Sequence, residues 1–249
     1  MIELKEISKE YGATKALSDV NLTIEEGKIF GFLGHNGAGK STIIKSLVSI
    51  IDPTAGEIVV DQQELTQHRL QIKEKIGYVP DTPDLFLQLT AAEYWDLMAA
   101  AFTLTENQKE QALKKYTDLF DMEEHQDETI GSFSHGMRQK TIIIGALLSN
   151  PAIWILDEPI QGLDPQAAYD LKQMMRAHAD AGNTVIFSTH DLATAQQLCD
   201  ELAILKKGEL IYNGTVSELL NQSPNESLES IYLKMAGRNS PSEAGEDDG

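Results

Sequence analysis

The segment GHNGAGKST, residues 34–42, constrains this chain more than any other, because three glycines and a lysine within nine positions restrict what the loop can enclose. Gly34, Gly39, Lys40 and Ser41 fit the pattern G-x-x-x-x-G-K-[ST]. In that pattern successive backbone N–H groups approach phosphate oxygens with no Cβ in the way. The flanks give the context: IFGFLG reads as a buried strand, and Ile43, Ile44, Leu47, Val48 and Ile51 recur at helical spacing until DPTAG stops the run. The expected local structure is strand, loop, helix. Gly34, His35, Asn36, Gly37, Ala38 and Gly39 then form a cradle for a polyphosphate, and a helix starting near Lys40 aims the positive end of its dipole at it. Lys40 is expected to neutralise the β- and γ-phosphates. Ser41, with Thr42 beside it, presents a hydroxyl to Mg²⁺, a hard ion that prefers oxygen ligands.

A second site follows from AIWILDEP, residues 152–159. Its apolar run predicts a buried strand that delivers Asp157 and Glu158 at its C-terminal end, where open α/β sheets place their ligand chemistry. Asp157 suits a metal-bound water, and Glu158 suits the general base that polarises an attacking water. His190 follows another apolar run, TVIFST, and stands at the matching end of its strand.

The rest of the chain reads as one α/β unit. Apolar bursts alternate with helical stretches such as QAAYDLKQMMRAHADAG and LATAQQLCDELAIL, the rhythm of a parallel sheet covered by helices. The start alternates for antiparallel strands, with turns expected at 21–23 and 25–27. Residues 87–149 carry long helix formers, AAEYWDLMAAAF and ENQKEQALKKYTDLF, and are expected to form an inserted helical subdomain. A hairpin, LAILKKGELIYNG, and a short helix from Thr215 close a domain spanning 1–237, and the acidic tail 238–249 is expected to be disordered. Phe86, Tyr94 and Trp95 read as packing residues of the helical segment, and Cys199 as a small buried contact rather than a nucleophile.

Thirty-nine acidic against 20 basic residues give a formal charge of −19, which disfavours binding to nucleic acid or to an anionic bilayer. No secretory leader or membrane-spanning run is evident, so a soluble, cytoplasmic chain is expected.

The segment SFSHGMRQK, residues 132–140, narrows the family. It resembles the signature segment of ATP-binding subunits of ABC transporters, and the resemblance extends over nearly the whole chain. Tyr11 falls at the adenine-stacking aromatic, GYVPD at the glutamine-containing loop, GLDP at the D-loop and STHD at the switch histidine. The resemblance implies an α/β P-loop NTPase core of RecA type, with an N-terminal antiparallel β subdomain and an inserted α-helical subdomain. It further implies ATP and Mg²⁺ as ligands, hydrolysis with Glu158, His190 and Lys40 as catalytic groups, and a second ATP-binding subunit, a homodimer, that clamps each ATP between one phosphate loop and the partner's Ser134 and Gly136. Asp164 would lie at that interface. A separate transmembrane permease would hold the subunit at the inner face of the membrane, its coupling helix received near Asp81. The GM-containing signature is similar to the exporter-like branch and, within it, to Ecs-type subunits.

Three positions depart from the family pattern, one of them Met137, which stands for the usual glutamine of the signature segment while Ser134 and Gly136 remain. Asp81 stands where glutamine is usual and is expected to remain a metal ligand beside Ser41 and Asp157, and His135 replaces a signature glycine. Competing readings are a soluble ABC ATPase acting on nucleic acid or ribosomes, and a P-loop kinase for a small molecule. The acidity and the single motif set count against the first, and the signature and D-loop against the second.

Overall fold

The structure is a computed structural model that describes residues 1–221, 226–235 and 237; the tail 238–249, expected to be disordered, lies outside the described residues. Strands β1 (Ile2–Tyr11) and β2 (Thr14–Ile24) pair antiparallel across a tight turn. Next come β3 (Ile29–Leu33), α1 (Lys40–Leu47), β4 (Ala55–Val60) and β5 (Gln63–Glu64). β4 returns to β1, giving a four-stranded sheet of order β2-β1-β4-β5. One expected turn is absent: Asn21 to Thr23 lie inside β2, because Leu22 and Ile24 alternate inward there and keep the ladder going. The other, expected at 25–27, is present at Glu26 and Gly27.

The second sheet is built from β3, β6 (Ile76–Val79), β7 (Ile153–Leu156), β8 (Thr184–Thr189), β9 (Glu201–Lys206) and β10 (Glu209–Thr215), in the order β10-β9-β3-β8-β7-β6. All neighbours are parallel except the β9–β10 hairpin. Alternation sorts its side chains into two cores. Phe30, Phe32, Ile153, Ile155, Ile186, Ala203 and Leu205 pack with the N-terminal sheet and α1, while Ile29, Leu33, Trp154, Leu156, Val185 and Phe187 pack with the helices on the other face. Covered on both faces, these strands carry continuous apolar sequence.

Between β5 and β6 lies α2 (Arg69–Lys73). The segment 87–149 is helical as expected, with α3 (Ala91–Ala101), α4 (Glu106–Phe120) and α5 (His135–Leu147). Thr90 and Thr105 each close a capping box, so sequence-local bonds fix where α3 and α4 begin. Tyr94 and Trp95 are buried, the indole N–H donating to Thr141 O at 3.0 Å. Phe86 departs from the packing role expected of it: it is 46% exposed, with only one ring contact, to Tyr94.

Helix α6 (Pro165–Asp180) precedes β8, and α7 (Leu192–Leu198) follows it. The helical reading of LATAQQLCDELAIL holds only to Leu198, since Leu202 to Leu205 are drawn into β9 by burial on both sheet faces. Cys199 is buried, its Sγ occupying the space a side chain on Gly31 would need. Helices α8 (Val216–Asn221) and α9 (Leu228–Met235) complete the described chain.

Candidate active site

The parallel strands β3, β7 and β8 end side by side, Leu33 pairing with Thr189 and Leu156 with Phe187. Their C-terminal extensions therefore bring loop 34–39, Asp157 with Glu158, and His190 to one edge. A cleft of about 840 Å³ opens there, lined by His35, Asn36, Gly37, Gly39, Lys40, Ser41, Thr42, Asp81, Glu158 and His190 among others.

Gly39 caps α1 in the left-handed region, φ +111°, with no side-chain bond to the first turn. A Cβ there would sit 2.8 Å from Leu17 Cδ2 and 3.0 Å from Ala16 O, so only glycine fits. The first N–H groups of α1 thus have neither an intrahelical acceptor nor a capping side chain, an arrangement suited to an anion.

Lys40 is 5% exposed; its Nζ donates to Gly34 O at 2.6 Å and lies 3.3 Å from Glu158 Oε1. That carboxylate oxygen accepts no aligned hydrogen bond and keeps its acceptor capacity. Its companion Oε2 lies 3.0 Å from His190 Nδ1. Glu158 is thus held between an ammonium and an imidazole, its backbone in the left-handed region at φ +49° and its N–H donating to Ser188 Oγ at 2.9 Å.

Asp157 is fully buried; its Oδ1 accepts from Ser188 Oγ, and its Oδ2 has no partner. Burial raises its pKa above the ordinary carboxylate value; the bond from Ser188 and the nearby Ser41 hydroxyl oppose this, and the charges of Asp81 and Glu158 reinforce it. A buried, unpartnered carboxylate oxygen beside a serine hydroxyl and two further acids fits a hard divalent cation. Among the described residues no three His, Cys, Asp or Glu side chains form a metal-binding group.

The remaining candidates are distributed differently. Gly34 meets the site through its carbonyl, and Ala38 is buried behind the loop. Tyr11 ends β1 outside the cleft lining, 51% exposed, with Lys9 Nζ 5.2 Å from its ring centroid. Its neighbours Thr14, Lys15 and Ala16 do line the cleft. Ser134 and Gly136 open α5, the serine hydroxyl accepting from Met137 N at 3.3 Å; neither is in the lining, although His135 between them is. Sequence reasoning missed Ser188, which bonds both Asp157 and Glu158 N; its place two residues before His190, on the same buried strand, was the available signal. It also missed Lys207, carried to the cleft by the β9–β10 turn.

Residues 17–161 match the family described as ABC transporter. The ABC-type transporter ATP-binding protein EcsA of Bacillus subtilis (strain 168) is 35% identical over 237 residues, 94% of this chain and 96% of that one. A solved ATP-binding subunit of an ABC transporter superposes with a TM-score of 0.89 at 34% identity, covering 94% of this chain and 99% of that chain. A dimeric ATP-binding cassette, MJ0796, in a post-hydrolysis state bound to ADP and Pi, superposes at 0.78 with 26% identity, covering 87% of this chain and 99% of that chain. This chain, with its P-loop NTPase fold and its Lys40, Glu158 and His190 at one cleft, belongs to the family of ABC transporter ATP-binding subunits, which are ATPases.

Proposed function

We propose that this subunit binds MgATP at the described cleft as one half of a pair of identical chains and uses its hydrolysis to drive a separate membrane-spanning permease. The observation that carries the site assignment is the convergence of Lys40 and His190 on Glu158 beside the orphaned Oδ2 of Asp157.

The loop 34–39 and the open first turn of α1 bind the β- and γ-phosphates, and Lys40 exchanges its carbonyl partner for phosphate oxygen. Ser41, Asp157 and Asp81 would hold Mg²⁺, which when bound would supply charge neutralisation for the phosphates. Glu158 orients and polarises the attacking water through the acceptor capacity left on Oε1. His190 fixes the carboxylate through Nδ1 and offers its remaining ring nitrogen to the γ-phosphate. Tyr11 stacks on adenine with the ring face away from Lys9. The second subunit closes the site with Ser134 and Gly136 at its own α5 N-terminus, where free N–H groups favour an anion.

A permease would dock beside the loop that carries Asp81, where Leu85, Phe86 and Leu97 are each about 45% exposed. That apolar group suits a short amphipathic helix. Among the described residues no helix is long and apolar enough to cross a membrane, which supports a peripheral place on the cytoplasmic face. The exporter-like signature supports outward transport. Phosphate release from ATP by the purified chain tests the reading: release that stops on chelation of Mg²⁺, with no phosphorylated acceptor formed, is the expected result. Phosphate transfer to a small molecule would contradict it.

A further inference from the structure

His135, which departs from the family's signature pattern, also takes part in tying two loops of this chain together. His135, Gly136, Gln139 and Lys140 fall on one face of α5 at helical spacing, and each meets the segment 159–164 that follows Glu158. A Cβ on Gly162 would lie 2.3 Å from His135 Cδ2, and one on Gly136 would lie 2.8 Å from Gly162 O. Gly162 also adopts φ +83°, in the left-handed region. Gln139, 1% exposed, donates to Pro159 O at 3.4 Å. Lys140 Nζ lies 3.0 Å from Asp164 Oδ2, while Asp164 Oδ1 caps α6 by accepting from Ala167 N at 2.8 Å. A turn bond from Gln161 N to Glu158 O completes the path back to the proposed base.

We propose that His135 is a positioning residue for hydrolysis: its ring, packed on Gly162, locks the N-terminus of α5 to the loop that begins at Glu158, so that seating of α5 on the partner's triphosphate sets the carboxylate of the same chain. This rests on the proposed pairing of two chains around ATP and deepens it. A glycine at position 135 would leave Gly162 with no ring to abut. His135 and Gly162 are both exposed, so this is a surface contact, and the imidazole gives the junction between the two loops a defined shape.

The test is a double-mutant cycle on the full chain, measuring MgATP hydrolysis, nucleotide affinity and the unfolding midpoint. Gly162→Ala is expected to lower kcat about tenfold, with nucleotide affinity changed less than about twofold, because its new methyl drives the ring out of place. His135→Gly alone is expected to lower kcat about threefold; in that background Gly162→Ala keeps its backbone strain at φ +83° but no longer meets the ring, so its cost should be several-fold smaller than in the unaltered chain. Equal costs of Gly162→Ala in both backgrounds, or an unchanged kcat in His135→Gly, overturn the proposal while leaving ATP hydrolysis intact. An unaltered chain that releases no phosphate overturns the hydrolytic reading and this one with it. Should Gly162→Ala fail to fold, Lys140→Met reports on the same connection: a several-fold loss of kcat at unchanged affinity, regained in Lys140→Arg, supports the lock, and an unchanged kcat overturns it.

Discussion

Helices α1 and α5 both begin where the proposed function needs an anion, yet they are built in opposite ways. The first turn of α1 is capped by a left-handed glycine with no side-chain bond, and it faces a cleft furnished by its own chain with Lys40, Glu158 and His190. The first turn of α5 is capped by Ser134, whose hydroxyl accepts from Met137 N, and neither Ser134 nor Gly136 faces that cleft. On the proposed reading, the contrast is between a phosphate site furnished within one chain and a half-site that would act on a partner's nucleotide. Within the chain the two are linked by the contact of His135 with Gly162, the bond from Gln139 to Pro159 O and the Lys140–Asp164 ion pair.

The comparison is broken most severely at Glu158. Glu158→Gln is expected to lower kcat by about 10²- to 10⁴-fold while MgATP binding persists, since general-base catalysis has that scale; single-turnover kinetics with a binding isotherm checks both halves. Lys40→Ala should weaken MgATP binding by about 1.5–3 kcal/mol, the scale of a lost charged hydrogen bond, measured by titration calorimetry. By contrast, Ser134→Ala should leave binding to the isolated chain unaltered and lower kcat, because its effect requires the partner.

How far the sequence reveals this difference follows from which interactions are local. The phosphate loop and the strand ends at Asp157 and His190 are written in contiguous residues, and each stands where the pattern puts it; the capping boxes of α3 and α4, T-x-x-E and T-x-x-Q, are equally local. What the pattern hid is set by partners distant in the chain. β4 pairs with β1 across more than forty residues, and Ser188 acquires its role only when β8 lies beside β7. His135 is visible in the sequence as a departure, but its contact with Gly162 appears only once α5 and the loop after β7 are packed together.

Two smaller effects sharpen the picture. Ser188→Ala removes the donor to buried Asp157 and the acceptor for Glu158 N, and should lower stability by about 1–3 kcal/mol, read from denaturant unfolding, with a parallel loss of kcat. The smallest concerns the far end of β7, where His178 is buried, its Nε2 2.8 Å from Pro151 O and its ring edge-on to Trp154. Burial, aided by the charge of Lys115, lowers its pKa from the ordinary histidine value, the bond to Pro151 opposing. The unfolded chain therefore binds the proton more readily. Stability from this group is present above about pH 6.5, the unfolded value, and is lost as pH falls below it toward the folded value. His178→Gln should flatten the fall of the unfolding midpoint between about pH 7 and 5 by no more than one proton's worth of slope.

The most direct measurement of the central claim is the mass in solution of Glu158→Gln saturated with MgATP, determined by light scattering alongside the nucleotide-free protein. Two chains per particle with MgATP, and one without it, is the predicted result; particles that remain single chains with nucleotide bound would contradict the account.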